Sequence, residues 1–227
     1  TYDSSRGVNK MLRTDTTAAE DDSSQYGYLS VFGDDGFTAQ AGSTNNNYIN
    51  ENNVNIVAWN WKANGGTTTS VSESGNNPAN VRQTNATAGF SIITYTGTGA
   101  AGTIAHGLGV APKVIITKRR GASGNWASYF GTDEVSDPET DAIYLDLTDA
   151  RTDSADFWND TAPTSTVYSV QDAGDTNAND ATYVAYVFAE VEGYSKIGSY
   201  TGNGNNDGAF VYTCLLYTSD AADDVNG

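Results

Sequence analysis

Cysteine, histidine and methionine are almost missing from this sequence, with one residue of each among 227. The single cysteine, Cys214, excludes a framework of disulfide bonds within the chain. The single histidine, His106, could act as a general base, but no Gly-x-Ser-x-Gly motif supplies a nucleophile for it. Its setting, Ala-His-Gly-Leu-Gly, is typical of a turn in which Gly107 and Gly109 adopt positive φ angles. These scarcities predict that the chain is not an enzyme.

Basic residues are also few, since 11 Lys and Arg stand against 28 Asp and Glu, a formal net charge of −17. Proteins that bind nucleic acids need basic patches to replace the counterions of the phosphates. The charge balance therefore excludes a nucleic-acid partner, and it argues equally against an anionic membrane surface. No apolar run approaches the roughly 20 residues of a membrane-spanning helix.

What the sequence does contain is a series of short runs rich in Val, Ile, Tyr, Phe and Trp, separated by Gly, Asn, Ser, Thr and Asp. This pattern is typical of short strands joined by turns. The fold class that it predicts is all-β, an antiparallel β-sandwich of the jelly-roll or lectin-like kind. One short helical turn is possible within Arg151–Trp158. The predicted strands are Phe90–Tyr95, Thr103–Ala105, Lys113–Lys118, Trp126–Phe130, Ile143–Leu147, Thr166–Val170 and Tyr183–Glu190.

The runs recur, which indicates a tandem repeat. The stretch Thr182–Ala189 resembles Asn55–Ala63, with Val57, Trp59 and Trp61 preceding their counterparts by 127 positions. The stretch Gly193–Gly204 resembles Gly89–Gly99, and here Tyr95 precedes Tyr200 by 105 positions. A fixed period of this kind is the signature of a repeat architecture.

The repeat divides residues 1–213 into four predicted segments, and residues 214–227 form a fifth. Residues 1–63 form a partial β-sandwich, and 64–88 form a Gly/Ser/Thr/Asn-rich linker. Residues 89–189 form a complete sandwich, and 190–213 begin a third copy. We expect Asn55–Trp61 to superpose on Thr182–Phe188.

Residues 214–227 do not continue the repeat. Their sequence, CLLYTSDAADDVNG, resembles an in-frame translation of a sequencing adapter, and we expect it to be poorly packed. Both ends of the chain are interpreted as truncated. Because the third copy stops early, Phe210 and Tyr212 should be unusually exposed.

Acidic and amide side chains in two loops raise the alternative of calcium, which prefers six to eight oxygen ligands. The candidates are Asp137 and Asp141 in one loop and Asn203, Asn205 and Asp207 in the other. The counterpart of the second loop, Thr98–Thr103, contains no acid. We therefore predict solvated loop acids and no cofactor, with calcium as the weaker alternative.

Aromatic residues raise a second alternative, a module that binds or cleaves carbohydrate. Trp126 follows a Gly-Asn turn and Trp158 precedes Asn159, so these two are the candidates for stacking on a sugar ring. Trp59 and Trp61 align with Tyr186 and Phe188 and are assigned to a core. Cleavage would further need two carboxylates about 5–10 Å apart.

Several motifs in a fixed order carry a resemblance to a known family. They are GFSIITYTGTGAAGTIAHGLGVAPKVIITKRR, GNW, WNDTAPTSTVYSV and TYVAYVFAEVEGYSKIGSYTGNG. Together they resemble a repeated β-rich domain of unknown function found in virion proteins of tailed phages, often beside lectin-like or tail-fibre modules.

The resemblance implies a non-enzymatic structural or receptor-binding module of a phage virion, associated with the tail or tail fibre. It implies other virion proteins and a cell-surface glycan as partners, and an oligomeric parent chain such as a trimer. The alternative is a carbohydrate-binding or glycan-cleaving β-sandwich of a phage or bacterial surface protein. Outside a virion, the expected location is extracellular or the cell surface.

Overall fold

A computed structural model describes residues 1–44, 49–132 and 136–211. The described chain is built almost entirely of β-strands, as the short apolar runs predict. The helical elements among these residues are a 3-10 turn, Pro138–Thr140, and the helix α1, Ala155–Trp158. The strands are β1 (Tyr28–Phe32), β2 (Phe37–Gln40), β3 (Thr69–Val71), β4 (Asn80–Asn85), β5 (Phe90–Thr96), β6 (Gly102–Ala105), β7 (Val114–Arg119), β8 (Trp126–Phe130), β9 (Asp141–Tyr144), β10 (Thr152–Asp153), β11 (Val167–Val170) and β12 (Thr182–Phe188).

Eight of these strands form one antiparallel sheet in the order β10-β9-β8-β7-β12-β5-β4-β3. Strand β12 lies at its centre and pairs with β5 from Thr182↔Thr96 to Phe188↔Phe90. A strand with neighbours on both edges and apolar residues on both faces is fully buried. The strands predicted at 113–118 and 183–190 are therefore confirmed, with bounds shifted by one or two residues, and they lie side by side within this sheet.

One face of the sheet packs against a second layer made of the β6–β11 pair and α1. The sheet contributes alternate residues of its strands, including Tyr183, Ala185 and Val187 of β12. The second layer contributes Ile104, Tyr168 and Trp158, each at most 2 % exposed. These two layers are the β-sandwich that the sequence predicts.

The opposite face is covered by residues of the first part of the chain. Leu12 is fully buried there against Phe90, Trp126, Val184 and Tyr186 of the sheet. The indole Nε1 of Trp126 donates a hydrogen bond to the Arg13 carbonyl at 2.8 Å. The Lys118 ammonium donates to the carbonyls of Thr17 and Gly124 at 3.0 and 2.7 Å. The early residues are thus part of the same packed body as the sheet.

The expectation that residues 64–88 form a linker needs correction, because they contribute β3 and β4 to the large sheet. Amide side chains order this polar stretch. The Gln83 side chain, 1 % exposed, accepts from Gly66 N at 2.9 Å and donates to Ser5 Oγ at 3.0 Å. The composition of this stretch offers little apolar surface to bury. Hydrogen bonds of the β-ladder and of buried amide side chains stabilise it instead.

The expected superposition of Asn55–Trp61 on Thr182–Phe188 is wrong, since no strand is assigned anywhere within residues 51–63. Among the described residues of 1–63, the β1–β2 hairpin is the only pair of assigned strands, and this is not a partial copy of the sandwich. The physical reason is pairing: β12 is held by β5 and β7, whereas Asn55–Trp61 has no ladder on either edge. Phe210 is 88 % exposed, as expected, and Tyr212 and the tail 214–227 lie outside the described residues.

Candidate functional site

The two tryptophans predicted to stack on sugar are both buried. Trp126 is 1 % exposed and lies against Tyr186, with ring centroids 6.4 Å apart. Trp158 is 2 % exposed, meets Tyr129 edge-on at 6.1 Å and donates from Nε1 to the Asp141 carbonyl at 2.9 Å. Neither ring presents a face to solvent, so neither can receive a sugar in this structure.

The calcium candidates do not converge on a shared centre. The Asp141 carboxylate pairs with Arg151 at 2.9 Å, and Asp137 occupies a left-handed position ahead of the 3-10 turn. In the other loop, Asn203 Nδ2 donates to the Asp207 carbonyl at 2.9 Å and Asn205 N donates to Asn203 Oδ1 at 3.0 Å. Within the described ranges, no group of three or more His, Cys, Asp or Glu side chains is placed to hold a metal ion.

His106 lies in the turn that the sequence predicts, with Gly107 and Gly109 at φ values of 77° and 79°. Its ring is fully buried. The Leu108 N–H donates to Nδ1 at 3.2 Å, so Nδ1 carries no proton. Nε2 then donates to the Thr164 carbonyl at 3.1 Å. Both ring nitrogens are occupied in fixing two loops, which is a structural role.

This burial predicts a pH dependence of folding. Burial lowers the pKa of His106 below its ordinary value of 6.5, and the charge of Arg82 lowers it further. A depressed folded-state pKa means that the unfolded chain binds the proton first, so stability is present above the unfolded value and falls as the pH drops below it. We expect the free energy of unfolding to decrease between about pH 7.5 and about pH 5.5.

Urea unfolding of the wild type and of His106→Gln at both pH values would measure this dependence. The decrease in unfolding free energy should be smaller in the variant than in the wild type, because the variant lacks the imidazole. The carboxylates that also titrate are common to both proteins, so they do not contribute to the difference. An equal decrease in the two proteins would contradict the assignment to His106.

Exposed apolar side chains are concentrated in two stretches of the chain. Of the 16 large hydrophobic residues that are exposed among those described, nine lie within 54–61 or 194–211. They are Val54, Ile56, Val57, Trp59, Trp61, Tyr194, Tyr200, Phe210 and Val211. Trp59 is 81 % exposed and Tyr200 is 71 % exposed. Because contiguous exposed apolar patches are typical of interaction sites, these two stretches are the candidates for such a surface.

The two stretches meet at a groove of about 420 Å³. Trp61, 57 % exposed, and Tyr194, 62 % exposed, contribute aromatic rings to it. Trp61 also contacts Phe188 edge-on, with centroids 6.0 Å apart, which joins the groove to the sheet. We call this site the aromatic groove. Its lining is Trp61, Lys62, Asn85, Thr87, Ala88, Phe90, Val191 and Tyr194.

The turn between β4 and β5 builds one wall of the aromatic groove. Asn85 accepts from the Ala88 N–H at 3.1 Å and donates to the Lys62 carbonyl at 3.0 Å, so one amide fixes two segments. Gly89 closes the turn at φ 64°, and a Cβ there would lie 2.4 Å from the Ala189 carbonyl oxygen. Glycine is required at this position both for its positive φ and for this close approach.

Sequence reasoning did not find the aromatic groove. The repeat predicts a core position for Trp61 because it aligns with Phe188, and it places Tyr194 at the start of another copy. One signal was available in the sequence: no Asp or Glu occurs in 52–72 or in 193–206, although the chain carries 28 acids. Such acid-free stretches in an acidic protein indicate a surface that excludes carboxylates.

A family model for a domain of unknown function (DUF7483) matches residues 1–215. No curated protein and no solved structure matches the chain. In the part of the chain that the structure describes, no helix has the length and apolar character needed to cross a membrane. Because the matched residues make up nearly the whole sequence, this chain belongs to the family of DUF7483 domains.

Proposed function

We propose that this chain is a non-enzymatic structural or receptor-binding module of a phage virion, associated with the tail or tail fibre. The observation that carries the proposal is the concentration of exposed apolar residues in 54–61 and 194–211, beside a well-packed sandwich. A rigid body with a separate apolar surface suits assembly with other virion proteins. The resemblance of the repeated motifs to virion proteins supplies the biological setting.

Mass spectrometry of purified particles tests this proposal. Particles made by a phage whose genome encodes the chain should contain it, and its gene should lie beside capsid, portal and tail genes. Finding the protein only in the lysate of infected cells, and not in the particles, would contradict a virion role. A gene placed within a bacterial polysaccharide-utilisation cluster would do the same.

A second candidate function is carbohydrate binding, which the aromatic groove favours. Exposed aromatic rings beside the Lys62 and Thr87 side chains offer stacking and hydrogen bonding to a sugar. None of the described residues that line the groove is Asp or Glu. The pair of carboxylates that glycan cleavage needs is therefore not part of this groove, and binding is the better candidate.

A glycan array with the wild type and Trp61→Ala would test this candidate. If a sugar stacks on Trp61, the substitution should weaken binding roughly two- to tenfold, since an aromatic contact contributes about 0.5–1.5 kcal/mol. Trp59→Ala is the matched control, because Trp59 is exposed but does not line the groove. Equal losses in both variants would contradict a sugar site at Trp61.

A further inference from the structure

Lys62 is the one charged residue among the described residues that line the aromatic groove. It is exposed, and no described carboxylate lies within ion-pair distance of its ammonium group. Other bases of the surface differ in this respect, since Lys10, Arg120 and Lys196 each pair with a carboxylate at 2.9–3.0 Å. The groove therefore offers a positive charge that the described acids do not neutralise.

Most of the groove is built by a part of the chain with few acids. Residues 52–132 contain six Lys and Arg but one acid, Glu73, although the whole chain has 11 bases and 28 acids. Six of the eight lining residues belong to this part. The segment that forms most of the groove therefore has a positive charge balance within an acidic protein.

The acids closest in sequence to the lining residues are Glu190 and Glu192. The Glu190 carboxylate is already engaged, since it accepts hydrogen bonds from Lys196 Nζ at 3.1 Å and from Ile197 N at 3.0 Å. Glu192 is exposed and lies between Val191 and Tyr194 in the sequence. Its carboxylate could oppose a negatively charged ligand, so its removal is an informative change.

The remaining lining suits a sugar ring. Trp61 and Tyr194 supply aromatic surface for the apolar C–H face of a sugar, and the exposed Thr87 supplies a hydroxyl group. The Asn85 amide is already committed to the Ala88 N–H and the Lys62 carbonyl. The groove volume of about 420 Å³ lies within the range of small-molecule sites, roughly 300–1,000 Å³.

We infer that the aromatic groove binds an acidic sugar, such as a uronic acid unit of a polysaccharide. The sugar carboxylate accepts a hydrogen bond from Lys62 Nζ while the ring stacks on Trp61 or Tyr194. A neutral sugar would leave the ammonium group unpaired, whereas an acidic sugar pairs it. This preference rests on the carbohydrate-binding candidate function and adds the class of sugar to it.

The contact acts at short range. The net charge of −17 opposes the approach of an anion from a distance, so the chain as a whole does not steer the ligand to the groove. Lys62 contributes only once the sugar has reached the site. Its effect should therefore depend on the ammonium group itself and on the position of the ligand carboxylate.

Isothermal titration calorimetry with matched sugars tests the class of ligand. The probes are oligomers of glucuronic, galacturonic and mannuronic acid, each compared with its methyl ester, which keeps the ring and removes the charge. The wild type should bind at least one acid about threefold or more tightly than its ester, as expected for a partly exposed ion pair.

Substitutions at the groove test the role of each group. Lys62→Met keeps the unbranched stem but removes the ammonium group, and should bring the ratio of the acid and ester affinities close to one. Lys62→Arg should retain the preference for the acid. Trp61→Ala should weaken acid and ester alike, because stacking does not depend on the carboxylate charge.

Glu192→Gln should increase the ratio of acid to ester affinity, because it removes the carboxylate next to the groove. A decrease of this ratio would contradict a negatively charged ligand at Lys62. Lys62 and Glu192 are both exposed, so substitutions at these positions should leave thermal unfolding nearly unchanged.

Equal affinities of the acids and their esters for the wild type, or a preference that survives Lys62→Met, would overturn the acidic sugar but not carbohydrate binding. No binding of any sugar would overturn both. Displacement of a bound uronic acid oligomer by polyglutamate at equal concentration would show that the groove takes acidic peptides, and would overturn the sugar as its ligand. The virion proposal is tested on particles and fails separately.

Discussion

Arg6→Ala should lower the free energy of unfolding by about 3–5 kcal/mol, the largest effect we expect from a single charged residue. The Arg6 side chain is fully buried between the first residues of the chain and β12. Its Nε donates to Asp3 Oδ2 at 2.5 Å, its Nη1 to Glu20 Oε2 at 3.0 Å and its Nη2 to the Tyr186 hydroxyl at 3.2 Å.

The loss of unfolding free energy is large because removing Arg6 leaves its partners buried without the guanidinium group. Asp3, whose side chain is 3 % exposed, would keep a hydrogen bond from the Tyr186 hydroxyl at 2.6 Å but lose its countercharge. A buried charge without a partner costs more than the pair contributed when intact. Since this cluster fixes the early residues over the sheet, we expect Leu12 and its neighbours to become exposed as well.

Urea unfolding at neutral pH measures this effect. Lys10→Ala is the control, because the Lys10–Asp22 pair, at 3.0 Å, is exposed to solvent and its removal should leave the unfolding midpoint nearly unchanged. Arg6→Lys keeps the charge but not the planar set of donors. Its unfolding midpoint should lie between those of Arg6→Ala and Lys10→Ala. Equal midpoints for Arg6→Ala and Lys10→Ala would contradict the assigned role.

The same cluster makes stability sensitive to acid. Burial alone would raise the pKa of Glu20, but hydrogen bonds from Arg120 and Arg6 outweigh it and lower that pKa below its ordinary value of 4.5. A depressed carboxylate pKa contributes stability above the unfolded value, and this contribution is lost as the pH falls below it. Arg6→Ala should therefore be less acid-sensitive in this range than the wild type.

Trp158→Ala should lower the free energy of unfolding by about 3–5 kcal/mol, the usual range for removing a large aromatic ring from a core. The ring fills the space between α1 and the sheet, and its Nε1 supplies the hydrogen bond to the Asp141 carbonyl. Truncation leaves a cavity and an acceptor without its donor. Trp158→Phe retains most of the packing and should cost clearly less.

Calorimetry or urea unfolding separates this structural role from sugar binding at Trp158. Trp59→Ala is the control, since that ring is 81 % exposed and should change stability by less than about 0.5 kcal/mol. A Trp158→Ala protein with an unchanged unfolding midpoint would show that the ring does not support the core. It would also reopen the original prediction that Trp158 stacks on a ligand.

The sequence by itself determined the all-β class and most strands of the sandwich. Runs such as 113–118 and 183–190 are apolar at consecutive positions, so they can be stable only where both faces are buried. The turn at His106 was equally predictable, because Gly107 and Gly109 permit positive φ angles that other residues avoid. In each of these cases the local pattern leaves one physical solution.

Tertiary structure decided the rest, since a strand needs a partner as well as a suitable sequence. The polar run Asn80–Asn85 became a strand because β5 lies beside it, whereas the apolar run Asn55–Trp61 did not, because no edge adjoins it. The tertiary structure also reverses the predicted positions of two tryptophans, since Trp158 was expected at a ligand site and Trp61 in a core. Trp158 lies on a helix that closes over the sheet and is buried, while Trp61 lies in a segment without strand pairing and is left at the surface.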